Sequence, residues 1–69
     1  SRDANLPHQV VGPMLDRYDY VTTAVKGDFL YLFGELKATE ALPLLQKAAA
    51  DPNEEIREAA AEALEKVHE

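Results

Sequence analysis

Residues 40–67 read EALPLLQKAAADPNEEIREAAAEALEKV, and residues 10–36, VVGPMLDRYDYVTTAVKGDFLYLFGEL, follow the same plan. Pro13 matches Pro43 at a spacing of 30, and Val25, Phe33 and Leu36 match Ile56, Leu64 and Val67 at a spacing of 31. The one-residue difference falls between the matched blocks, where a loop absorbs it. Within each block apolar residues recur at spacings of three and four, the period of a helix face, and no segment alternates as a strand would. A period near 31 with helical patterning specifies stacked helix pairs, because one pair cannot bury its apolar face alone.

Working outward, four helices follow. The first starts near Pro7, with Asn5 or Leu6 leading in, and presents Val11, Met14, Leu15 and Tyr18 on one face. Pro13 inside it predicts a kink. The second starts at the capping residue Thr22 and presents Val25, Phe29, Leu32, Phe33 and Leu36, with Gly34 and Lys37-Ala38 marking its exit. The third starts near Thr39, presents Ala41, Leu44, Leu45 and Ala48, and carries Pro43 as its kink. Asp51-Pro52-Asn53 is a turn whose Asn53 caps a fourth helix bearing Ile56, Ala60, Ala63, Leu64 and Val67. Short connections make neighbouring helices antiparallel. The expected fold class is all-α, an α-solenoid of two antiparallel helix hairpins. Residues 1–69 form a single domain, with repeat one at about 7–37, repeat two at about 39–68 and residues 1–6 flexible.

Sixty-nine residues support only a small core. A net charge of −6 repels nucleic-acid backbones and anionic membrane surfaces, which leaves a protein partner. The absence of cysteine excludes disulfides, thiol catalysis and cysteine-ligated zinc, and with no membrane-length apolar run the expectation is a cytoplasmic protein. His8 and His68 lie far apart in the chain, too few for a metal site. The stretch Asp51–Glu62 echoes a calcium loop, but Ile56 stands where that loop needs glycine. No Ser/His/Asp grouping or glycine-rich phosphate loop is present, so no enzyme activity, cofactor or metal is expected.

Gly34-Glu35-Leu36, Ala41-Leu42-Pro43-Leu44-Leu45, Asp51-Pro52-Asn53-Glu54-Glu55-Ile56-Arg57 and Ala59 to Leu64 together resemble a HEAT repeat. The likeness is to the short variety common in bacteria and archaea and seen also in phycobilin lyases. Residues 34–67 carry it well; residues 10–33 carry it loosely, through Pro13, Leu15 and the Val25-Lys26 pair in place of Ile56-Arg57. The resemblance implies an α-solenoid serving as a non-catalytic protein–protein interaction or scaffold module, a piece or a cap of a larger array. It also implies that Arg57 pairs with a loop aspartate of an adjacent repeat, with Lys26 a weaker substitute because it lacks the planar fork. Alternative readings are a fragment of a phycobilin-lyase-like protein and a self-associating structural domain.

The two copies differ on their outer sides. Glu54, Glu58, Glu62, Glu65 and Glu69 lie opposite the apolar arc of the last helix. Glu58, Glu62 and Glu65 form either an acidic ridge for a basic partner or a solvated face of a capping repeat. Glu62 and Lys66 have the spacing of a helical ion pair. Where the last helix has Glu58, Ala61, Glu62 and Glu65, the second has Gly27, Leu30, Tyr31 and Gly34. Candidate partner contacts on this uncharged strip and beside it are Gly27, Phe29, Leu30 and Tyr31, with Tyr20 at the turn; the alternative for the strip is packing between neighbouring second helices of the stack, which suits Leu30, and Tyr18 belongs to the core. The partner expected is another protein, further repeats of the same array, or a second copy of the chain.

Overall fold

The computed structural model describes residues 9–69. Its helices, in chain order, are α1 (Val11–Arg17), α2 (Thr23–Glu35), α3 (Leu42–Ala48) and α4 (Glu54–His68). Single 3-10 turns follow α1 at Tyr18–Tyr20 and precede α3 at Thr39–Ala41. Among the described residues there is no strand, and the all-α repeat architecture holds. The expected helix start near Pro7, its lead-in at Asn5 or Leu6, residue His8 and the flexible 1–6 segment lie outside the described residues.

The helix starts follow local chemistry. The Thr22 hydroxyl accepts the Val25 N–H at 3.3 Å, opening α2. The Asn53 side-chain oxygen accepts the N–H groups of Glu55 at 2.8 Å and Ile56 at 3.2 Å, opening α4. Each cap supplies an acceptor to N–H groups that have no partner within the helix. Asp51 accepts the Asn53 N–H at 2.8 Å, so the Asp-Pro-Asn turn is held by its own first residue. Glu54 and Glu55 in the first turn of α4 and Lys66 and His68 in its last complement the helix dipole.

Neither proline kinks a continuous helix. Gln9 is helical and Val10 is a turn, so the break precedes α1 and leaves Pro13 in its first turn. Pro43 is the second residue of α3, behind the Thr39–Ala41 turn. A proline in the first turn lacks only an N–H that has no intrahelical acceptor anyway. The chain therefore starts a new helix at each proline, where a bend had been expected.

The core runs from α1 to α4. Phe33, Leu30, Leu45 and Val11 are the largest side chains with no exposure, and Tyr18, Ile56, Ala60 and Ala63 are also buried. The principal packing is α2 on α4, then α3 on α4 across the Ala49–Asn53 connection; α1 touches the Thr39–Ala41 turn. Helices α2 and α4 approach closely at Gly34, where an added Cβ would lie 2.9 Å from the Ala63 Cα. Gly34 is thus a contact point between helices.

The exit of α2 falls three residues later, at Lys37. The Ala38 N–H donates to the Phe33 carbonyl at 2.9 Å and the Lys37 N–H to the Gly34 carbonyl at 3.0 Å. This is the paired hydrogen bonding of a Schellman cap, which requires a left-handed residue; Lys37 takes that role at φ 51°. Buried Ala38 and Phe33 supply its apolar contact. Lysine in this conformation carries a strain of about 1–2 kcal/mol that glycine avoids, partly offset by glycine's greater unfolded freedom. Lys37→Gly is therefore expected to raise stability by about 0.5–1 kcal/mol, read as a higher urea midpoint at unchanged slope. A lower midpoint would show that the lysine side chain stabilises more than its backbone strains.

Candidate interaction surface

Helices α2 and α4 lie side by side, and their outward sides form one surface. On α4, Glu58, Glu62 and Glu65 are all exposed. On α2, Asp28, Tyr31 and Glu35 are exposed, with Tyr31 retaining 55% of its accessible surface. The Lys66 ammonium joins the two helices: it is ion-paired with Glu35 and sits 4.8 Å from the Tyr31 ring centroid. Its hydrogen bond to Glu35 holds the ammonium above the ordinary lysine range; desolvation opposes this, and the charges of Glu35, then Tyr31 and Glu62, add to the rise. The Glu62–Lys66 pairing within α4 thus gives way to a pairing between repeats, with Glu62 contributing only at longer range.

The five candidate contacts do not share one surface. Tyr31 and Gly27 stand one turn apart on α2. Gly27 is half-buried, and an added Cβ there meets nothing within 4 Å. It borders a shallow depression formed with Thr23, Ala24, Glu55 and Ile56. Leu30 is fully buried and has no surface to offer, which removes it from the contact set. It lies one turn from Gly34, on the side of α2 that α4 covers. Phe29 is half-buried, edge-on to Phe33 at 6.4 Å, and two residues place it about 160° around the helix from Tyr31. Tyr20 is 88% exposed, but it precedes α2 and so lies at the opposite end from Tyr31.

Sequence reasoning misplaced Leu32. The period puts it on the core face, yet it is 41% exposed, close to Val10 at 48% in openness to solvent. Helix α2 is apolar on both flanks, so its pattern does not choose which flank is covered. Packing chooses the flank of Leu30 and Gly34. Leu32 and the half-buried Val25, Phe29 and Leu36 then form the opposite edge of the stack.

Arg57 also departs from expectation. Its guanidinium donates to the carbonyl oxygens of Asp51 at 2.9 Å and Pro52 at 3.0 Å, closing the loop of its own repeat. The matching Lys26 lies over the Tyr18 ring at 5.3 Å from its centroid, a cation–π contact.

The family model for HEAT repeats matches residues 20–69, from the turn before α2 through the end of the chain. The chain belongs to the HEAT repeat family. No curated protein and no solved structure matches it at the significance required. HEAT repeats generally mediate protein interactions or scaffolding and are typically non-catalytic. Among the described residues, no group of three or more His, Asp or Glu side chains is placed to hold a metal ion, and no helix is long and apolar enough to cross a membrane.

Proposed function

We propose that this HEAT repeat chain is a non-catalytic interaction module whose α2–α4 surface receives a basic protein segment. The observation that carries the reading is the exposed Tyr31 ring on α2, joined through Lys66 to an α4 whose Glu58, Glu62 and Glu65 are exposed, with the Lys66 charge already engaged by Glu35. An exposed tyrosine offers a large rigid contact at low entropic cost, and an arginine of the partner can take the ring face that Lys66 now occupies. The surrounding acids steer a cationic partner and set its orientation. Gly27 leaves room beside the ring for the partner's backbone or side chains.

The test is a panel of helical peptides of equal length and graded Lys/Arg content, titrated against the chain by calorimetry. Binding is expected to rise with peptide charge and to fall as salt shortens the screening length. Tyr31→Ala is expected to weaken the best peptide roughly 5- to 30-fold, the range of a modest hot spot. Binding that ignores both salt and Tyr31→Ala would refute this surface.

A second reading rests on the opposite edge. Exposed Leu32, on the same flank of α2 as half-buried Val25 and Phe29, favours an additional repeat or a second copy stacked there. Sedimentation equilibrium distinguishes it: concentration-dependent mass abolished by Leu32→Lys supports self-association, and a monomer at all concentrations opposes it.

A further inference from the structure

A separate cleft of about 310 Å³ opens between the Tyr18–Tyr20 turn, α2 and α3. Tyr18, Leu44 and Ala48 give it apolar walls; Lys26, Lys47, Asp19 and Asp51 are its charged lining. Both signs of charge are present, yet none of the four is ion-paired with another of them. Tyr18 is 93% buried, and its hydroxyl is covered without any hydrogen-bond partner. Burial, and then the nearby carboxylates of Asp51 and Asp19, push that phenol above its ordinary range, so it remains a neutral hydroxyl able to donate.

These features have one chemistry in common. A buried hydroxyl without a partner is costly in the empty protein, and a ligand that supplies the partner repays the cost on binding. Lysines and aspartates that are not ion-paired with one another, though Lys26 lies over the Tyr18 ring and Asp51 accepts the Asn53 N–H, surround an apolar wall and complement a molecule that carries both charges and an apolar group. The volume stands at the lower end of small-ligand sites. We propose that this cleft binds a free apolar α-amino acid: its carboxylate meets Lys26 and Lys47, its ammonium meets Asp19 and Asp51, and its side chain lies against Leu44 and Ala48. Lys26 then exchanges its contact with the Tyr18 ring for the ligand carboxylate.

The experiment titrates the intact chain with L-leucine, followed by backbone amide NMR at Tyr18, Leu44, Lys47 and Ala48. Three probes of similar apolar size serve as controls: 4-methylpentanoate, 3-methylbutylamine and N-acetylleucinamide. Leucine is expected to give saturable shifts with half-saturation at or below ~1 mM, and each control to bind at least about tenfold more weakly, having lost one or both charges. Tyr18→Phe is expected to raise the melting temperature of the free protein by roughly 4–8 °C, since it deletes an unpaired hydroxyl, while weakening leucine several-fold. Lys47→Gln, at an exposed position, is expected to weaken leucine without altering the fold. Equal responses to all four probes, no saturable response to leucine, or unchanged leucine affinity in Tyr18→Phe would each overturn the proposal.

Discussion

Phe33→Ala is expected to remove about 3–5 kcal/mol of stability, the usual cost of emptying a buried phenylalanine site. Phe33 is the largest side chain with no exposure, it contacts Phe29 edge to face, and its carbonyl accepts the outer hydrogen bond of the α2 cap. A domain of this length holds only roughly 3–10 kcal/mol in total, so this loss leaves the chain near or past its unfolding midpoint. Circular dichroism during a urea titration reads the effect. If Phe33→Ala does not fold, Phe33→Leu provides the measurable case, with a smaller loss and a visible transition. A loss below about 1 kcal/mol for the alanine variant would mean that the core is centred elsewhere.

Gly34→Ala and Gly27→Ala should move stability in opposite directions, although both add one methyl group to α2. Alanine is favoured over glycine in a helix interior by about 1 kcal/mol. At Gly27 the new Cβ meets nothing within 4 Å, so that gain is realised in full. At Gly34 it lands 2.9 Å from the Ala63 Cα and 3.2 Å from the Ala63 Cβ. The first of these is backbone, which cannot rotate away, so α2 and α4 must separate. Overpacking of this kind costs about 1–3 kcal/mol, and loss of contact along the principal helix interface adds to it. The net expectation is a gain of about 1 kcal/mol at Gly27 and a loss of about 1–2 kcal/mol at Gly34. Thermal melts of the two variants side by side test both, and a stabilised Gly34→Ala would show that the helices are not in contact there. The same separation would pull Lys66 from Glu35, so Gly34→Ala also perturbs the proposed partner surface.

Much of the architecture is legible in the chain because it depends on short-range rules. Thr22 and Asn53 cap helices since their side-chain oxygens reach N–H groups two or three residues on. The apolar period of α4 places Ile56, Ala60 and Ala63 inside and Glu58, Glu62 and Glu65 outside, because only one side of that helix is apolar. The α2 helix is different. Apolar residues occupy most of its circumference, so its pattern fits more than one packing: for Leu30 the packing alternative holds and the partner contact does not, and the assignment of Leu32 to the core fails. The packing role of Gly34 and the role of Pro13 were also beyond local reading. A glycine can equally mark a helix exit or a close approach, and a proline can bend a helix or begin one.

Of the candidate contacts, Tyr31 and Gly27 lie on the α2–α4 surface, where sequence alignment of the repeats had pointed to a mismatch between copies. Lys66 was legible as a partner for Glu62, four residues away on the same helix. That it instead joins Glu35 and Tyr31 follows from the nearness of α2, which no local spacing encodes. The unpaired Tyr18 hydroxyl is of the same kind: the sequence marks Tyr18 as core, but only its neighbours decide whether the hydroxyl finds an acceptor.

The sequence by itself determined the helical period, the caps, the acidic side of α4 and the family, since each rests on residues within a turn or on the 31-residue repeat. The tertiary structure alone decided which side of α2 is buried, where Gly34 lets two helices touch and which carboxylate holds Lys66. The reason is physical: period and capping are properties of one helix, whereas burial and ion pairing depend on what a second helix brings within a few ångströms.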